Sequence, residues 1–170
     1  MFAQVVQNTP VWVWPVLGII LGAGALQLRP RTIPATLVVG MPVLMAGLAL
    51  FGVVSSFGIR VEVIGAWVLG AAIGLVLNEH VLRSPRAARF HPGSERYEVP
   101  GSALPLVLML VIFGARYVVG ATTAMAPAVS ATLVFIASAC SILGLCSGLF
   151  VARALRILRS RAAPVPSGAV

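Results

Sequence analysis

The sequence predicts an all-α integral membrane protein: a bundle of five transmembrane helices, N-terminus outside and C-terminus inside, with a small cytoplasmic β-hairpin between helices three and four. Three observations carry this prediction. First, 59% of the 170 residues are apolar and 9% are charged, against about 25% charged in a soluble globular domain. So few charges cannot clothe a soluble surface, and lipid is the solvent that suits such a chain. Second, five apolar runs each reach the roughly 20 residues that a spanning helix requires. Third, the twelve basic residues are all Arg, and they gather on alternate connections.

Segment one is expected over 10–28, with Thr9 as cap, Pro10 in the first turn and Trp12 and Trp14 at an interfacial belt. No basic residue precedes it, so it reads as an inserted helix rather than a cleavable signal peptide. The connection Arg29-Pro30-Arg31-Thr32-Ile33-Pro34 is short, basic and helix-breaking. Segment two is expected over 35–57, with Pro42 inside it; neighbouring helices in a membrane can absorb the kink. Segment three is expected over 63–82, with Trp67 near its start. The long hydrophilic stretch follows. Within it, Arg89-Phe90-His91, then Pro92-Gly93, then the alternating Glu95 to Val99 predict a hairpin docked on helix ends or headgroups.

Segment four is expected over 102–124, capped by Ser102 with Pro105 in its first turn, and segment five over 128–158. Residues 1–159 make one transmembrane domain, and the Pro/Ala/Gly-rich tail, 160–170, is expected to be disordered.

Alternating spans place Arg29, Arg31, Arg83, Arg86, Arg89, Arg96, Arg153, Arg156, Arg159 and Arg161 on one side and only Arg60 on the other. The positive-inside rule makes the first side cytoplasmic. The formal charge of +8 is thereby explained by topology and by anionic lipid headgroups at the cytoplasmic face, and no nucleic-acid partner is expected. All-Arg basicity fits a high-GC bacterial genome, and the expected location is the bacterial inner membrane.

Small residues mark helix packing: Gly18 and Gly22 in segment one, Gly70 and Gly74 (extended back to Ala66) in segment three, and Cys140, Gly144, Gly148 and Ala152 in segment five. They serve the bundle itself, or else a homodimer or a partner membrane protein. Cys140 and Cys146, six residues apart on a helix, cannot bridge each other and read as buried small hydrophobes.

Arg116 is the leading functional candidate. It lies about 21 Å along its helix from Ser102 and roughly 10 Å below the outer surface. An Arg at that depth faces protein or water. Two readings stand. It binds an anionic group of a ligand, with Tyr117 and Glu62 near by, or it is structural, snorkelling outward or pairing with Glu62, the only acid expected on that side. Glu79 and His80 close segment three. They are a weak proton or charge relay, or they pair with Arg83 and Arg86. No Walker loop, dinucleotide fingerprint, zinc motif or nucleophile elbow occurs, and there is no Asp. Neither catalysis, nor a cofactor, nor a metal is expected. The function predicted is binding or moving a small amphiphilic or anionic ligand. The alternative is an accessory subunit that docks a partner complex through its Gly-rich faces and basic hairpin.

The opening Asn8-Thr9-Pro10-Val11-Trp12-Val13-Trp14, the Arg29-Pro30-Arg31 break and the Pro100-Gly101-Ser102…Leu104-Pro105-Leu106 entry resemble a family of small proteobacterial inner-membrane proteins of unknown function. Ile112-Phe113…Arg116-Tyr117-Val118-Val119-Gly120 and Ser147-Gly148-Leu149-Phe150…Arg153-Ala154-Leu155 fit it as well. The likeness covers nearly the whole chain and implies the fold rather than an activity. A more distant likeness is to CcdC-like proteins, associated with cytochrome c biogenesis. They share the early basic break, the helix, hairpin and helix middle, and an Arg in the fourth span, which Arg116 matches; their lysine-rich loops are not reproduced here.

Overall fold

The computed structural model describes residues 11, 13–82, 88–91 and 95–159. It is mostly helical. Four helices are long and apolar enough to cross a membrane: Ala35–Phe57, Val61–His80, Leu104–Met125 and Leu133–Arg159. The first helix, α1 (Val13–Leu26), is shorter at 14 residues, about 21 Å of rise. Pro10 and Trp12, expected at its start, lie outside the described residues, as does the tail 160–170.

α1 tightens at its end, where Gln27 N donates to Gly24 O and Leu28 N to Ala25 O. Pro30 then forbids continuation. Strand β1 (Arg31–Pro34) leads into α2 (Ala35–Phe57), in which Pro42 is buried. α2 has the limits expected from sequence and ends at Gly58, whose φ of 78° is open only to glycine at low cost. α3 (Val61–Leu77) runs on as a π-helical turn, Asn78–Leu82. Strands β2 (Arg89–His91) and β3 (Arg96–Val99) follow. α4 (Leu104–Met125) carries Pro105 in its first turn, and the Ser102 hydroxyl accepts from Leu104 N–H at 3.3 Å. A single-turn helix, α5 (Pro127–Ser130), precedes α6 (Leu133–Arg159). The last long helix therefore begins five residues later than the 128 expected. Ala131 and Thr132 turn the chain there, with Thr132 Oγ1 bonded to Val129 O at 2.7 Å.

α6 is the axis of the bundle. Within an apolar stretch of 18 residues, 56% of α6 is buried, against 28%, 22% and 17% for equal stretches of α2, α3 with its π-helical continuation, and α4. α3 runs parallel to it: Ala66 meets Ser141, Trp67 meets Gly144, Ala71 meets Gly148, and Glu79 meets Arg156, so the numbers rise together. α2 runs antiparallel to α6. Its Val53 joins Ile136, Cys140 and Leu143 in one core cluster, and its Val38 joins Ala154 and Ile157 in another. A third cluster, Leu108, Cys146, Leu149 and Phe150, fixes α4 on α6. α1 packs on α4, where Gly24 lies against Leu106 and Ser102 N donates to Gln27 O at 2.9 Å.

The small residues divide into two sets. A Cβ at Gly144 would strike the Trp67 carbonyl, at Gly148 the Ala71 carbonyl, at Gly70 the Ser141 carbonyl and at Gly74 the Leu145 carbonyl. Backbone thus touches backbone along the whole α3–α6 seam, which is how helices associate in lipid. Gly18 and Gly22 have nothing within 4 Å of a Cβ. They take no part in packing among the described residues, because α1 meets α4 through Gly24.

The expected hairpin is present as β2 and β3, but the connection 29–34 is more than a helix-breaking turn: its β1 pairs antiparallel with β3. The sheet has three strands in the order β1-β3-β2, with Arg31↔Val99, Thr32↔Glu98 and Ile33↔Tyr97 on one side of β3 and Arg89↔Glu98 and Phe90↔Tyr97 on the other. Pro34 is tolerated because β1 is an edge strand. Arg96 and Glu98 are exposed, while Tyr97 and Val99 are buried against Val38, Ala154 and Ile157 at the ends of α2 and α6. The turn at Pro92-Gly93 lies outside the described residues.

Candidate functional site

Arg116 stands on α4, about 18 Å of rise after Leu104 and about 13 Å before Met125. It is therefore well inside an apolar helix. Its Nη1 donates to the carbonyl oxygen of Gly52 and, at 3.3 Å, to Ser56 Oγ, both on α2. The Gly52 carbonyl also accepts from Ser55 Oγ at 3.1 Å and Ser56 Oγ at 2.9 Å. Gly52 is buried, and a Cβ there would press on the guanidinium, so the glycine makes room for it. A guanidinium carries five N–H donors. Both contacts to α2 use Nη1.

The setting of this contact is unusual. α2 and α4 each pack on α6 but are not packed along each other. Arg116 bridges the gap between them, and its residue remains exposed. Ile112 and Ala115, one turn and one residue before it, reach the core cluster around Val53, Ile136 and Cys140. Arg116 thus reaches from α4 to α2 beside residues that pack on the apolar core.

The other expected site residues are distributed as follows. Tyr117, next in the chain, is half-buried. Glu62 is exposed in the first turn of α3 and lines a separate shallow pocket of about 190 Å³ with Arg60, Val63, Ala131, Leu133 and Ile136. No ion pair joins Glu62 to Arg116 among the described residues. Glu79, on the π-helical turn, pairs with Arg156 at 3.1 Å and Arg159 at 2.9 Å, and Arg156 also donates to the Glu79 carbonyl at 3.2 Å. These partners come from the last turns of α6. Arg83 and Arg86, expected in that role, lie outside the described residues. His80 is exposed beside Glu79. Cys140 and Cys146 are buried free thiols. No group of three or more His, Cys, Asp or Glu is placed to hold a metal ion among the described residues.

Sequence reasoning missed the Gly52–Ser56 half of the site and a buried polar pair, Asn78 and Arg153. Each left a signal. A glycine followed at four residues by serine in an apolar helix marks a carbonyl open to side chains. Arg153 continues the spacing Cys146, Leu149, Arg153, Ile157, all of them buried, so helical periodicity puts it on the inward face. Comparison with curated proteins and with solved structures gives no match. A family model covers residues 1–167, and by that match the chain belongs to the family of unknown function DUF6622.

Proposed function

We propose that this chain is a non-enzymatic protein of the bacterial inner membrane that crosses it five times, N-terminus outside, and binds an acidic amphiphile at Arg116 to move or sense it. The carrying observation is that Arg116 lies within a span yet touches only neutral acceptors. An Arg near the bilayer centre costs about 2.5–3.5 kcal/mol on insertion scales. Neutral oxygens satisfy some of its N–H groups and leave the charge uncompensated. The four glutamates offer no counter-charge: Glu79 is taken by Arg156 and Arg159, Glu95 and Glu98 belong to the sheet region, and Glu62 lines another pocket. An acidic headgroup would supply the missing charge through the remaining donors, and its tail would lie along the exposed apolar side chains of α2 and α4.

Five alternating spans require α3 and α6 to run parallel and α2 and α6 antiparallel, and the helix registers agree with that arrangement. α1, at 14 residues, would be the fifth span. A topology reporter checks this directly. Fusions at the N-terminus are expected to be active only outside, and fusions after Arg159 only inside. Both on one side would remove the fifth span.

Native mass spectrometry of the chain extracted in its own lipids tests the binding. The wild type is expected to carry a small acidic adduct that Arg116→Leu loses and Arg116→Lys retains in part. An identical adduct pattern in all three would make Arg116 a structural strut to Gly52. A second reading is favoured by Gly18 and Gly22, whose open face on α1 meets nothing among the described residues. On that reading the chain is an accessory subunit, docked by that face and by the basic sheet, and the experiment would show a retained protein partner instead.

A further inference from the structure

At the sheet end of the bundle lies a second polar locus, unconnected with Arg116. Arg153 on α6 is only 9% exposed, yet its Nη1 has no hydrogen-bond partner. Asn78, the first residue of the π-helical turn, is 0% exposed, and neither Nδ2 nor Oδ1 is partnered. The α3–α6 register relates the two. Gly74 lies against Leu145, Gly148 and Leu149, and Glu79 against Arg156. Asn78, between them, stands level with Ala152 and Arg153. Buried amide and guanidinium groups are seldom left unpaired, and one unpaired polar atom asks for a partner the protein does not provide.

Arg31, another cation, lies close enough to Arg153 for their charges to act on each other. The sheet puts it there. Arg31 is opposite Val99 in the β1–β3 ladder, and directly opposed residues share a face. That face is the one Tyr97 and Val99 bury against the helix ends. Among the described residues the glutamates are elsewhere: Glu79 is engaged by Arg156 and Arg159, Glu62 lines another pocket, Glu95 is exposed at the turn before β3, and Glu98 is exposed on the other face of the sheet. A bound water would satisfy Asn78 but would not neutralise two guanidiniums.

We propose that Arg153, Arg31 and Asn78 form a binding site for one phosphate group beneath the β1 edge of the sheet. Each guanidinium carries N–H donors matched to phosphate oxygens, Arg31 giving up or sharing its long 3.5 Å bond from Nη2 to Gln27 Oε1, and the Asn78 amide adds a neutral donor. Basic pockets between helix ends take lipid headgroups by this chemistry. A phospholipid headgroup and a soluble phosphate share it, and the test separates them.

The full chain, delipidated in a neutral detergent, is titrated with phosphatidylglycerol in one series and with inorganic phosphate in another, and adducts are counted by native mass spectrometry. One tight adduct per chain is expected in one series. Its affinity should fall roughly tenfold or more in Arg153→Gln and in Arg31→Gln, the scale of one lost charge-assisted bond, with partial recovery in Arg153→Lys. Arg29→Gln, an exposed cation at the same end, should leave it unchanged. Arg31 is exposed, so its variant reads binding even if Arg153→Gln does not fold. Saturation by lipid alone assigns a headgroup, and saturation by inorganic phosphate assigns a soluble anion. No stoichiometric adduct in either series, or equal weakening in Arg29→Gln and Arg31→Gln, overturns the site. The Arg116 reading is probed by different variants and survives that failure.

Discussion

Replacing Gly144 by Val is expected to separate α3 from α6 and to remove the monodisperse folded species in detergent. The obstacle at this position is the Trp67 carbonyl, with the Ala71 amide beside it. Overfilling an ordinary core costs about 1–3 kcal/mol because side chains change rotamer to make room. A backbone carbonyl inside a helix has no such freedom, so the helix must move as a whole. Moving it opens the contacts of Gly148, Gly70 and Gly74 along the same seam, and the effect should reach or exceed the top of that range. Fluorescence-detected size exclusion after a temperature ramp gives the comparison. Gly18→Val, placed in open space on α1, should elute and melt like the wild type. Equal behaviour of the two variants would mean that the α3–α6 seam does not hold the bundle.

Tyr97→Ala is expected to undock the sheet while leaving the helices in place. Tyr97 is among the largest fully buried side chains, at 1% exposure. It packs with Val38, Val99, Ala154 and Ile157, where the sheet meets α2 and α6. Aromatic-to-alanine changes in cores cost about 3–5 kcal/mol, and a small three-stranded sheet has little other buried surface with which to stay docked. Limited proteolysis should cut the segment between α3 and α4 faster in the variant, with helical circular dichroism unchanged. An unaltered cleavage rate would show that headgroups, rather than Tyr97, hold the sheet down.

Part of this architecture was legible from residue order alone. α2 ran between Pro34 and Gly58 as read, because both ends carry residues that forbid helix and the run between them is uniformly apolar. The start of α6 was misjudged because Ala131 and Thr132 break the helix without any Pro or Gly to mark it. β1 was invisible for a different reason. Three residues between two prolines have no strand character of their own; they become a strand, closed by Pro34, only because β3, more than sixty positions later, offers a ladder. The same distinction governs the polar residues. The depth of Arg116 follows from counting along one helix, whereas its Gly52 and Ser56 partners depend on which helices become neighbours. Glu79 was matched to the arginines nearest in sequence, and the α3–α6 register gave it those nearest in space.

The central place of α6 also sets an order of events during synthesis. α1 packs on α4, and α2 and α3 find their main partner in a helix that leaves the ribosome after both. Until residues 133–159 have been made, the glycine face of α3 has no mate and β1 has at most the half-assembled sheet above it. The first three helices must therefore persist side by side as separately stable elements, as non-local contacts always demand of the chain that waits for them. A chain stopped near Ser130 would display the bare Gly70–Gly74 face to the membrane, a ready signal by which quality-control proteases could tell an unfinished copy from a finished one.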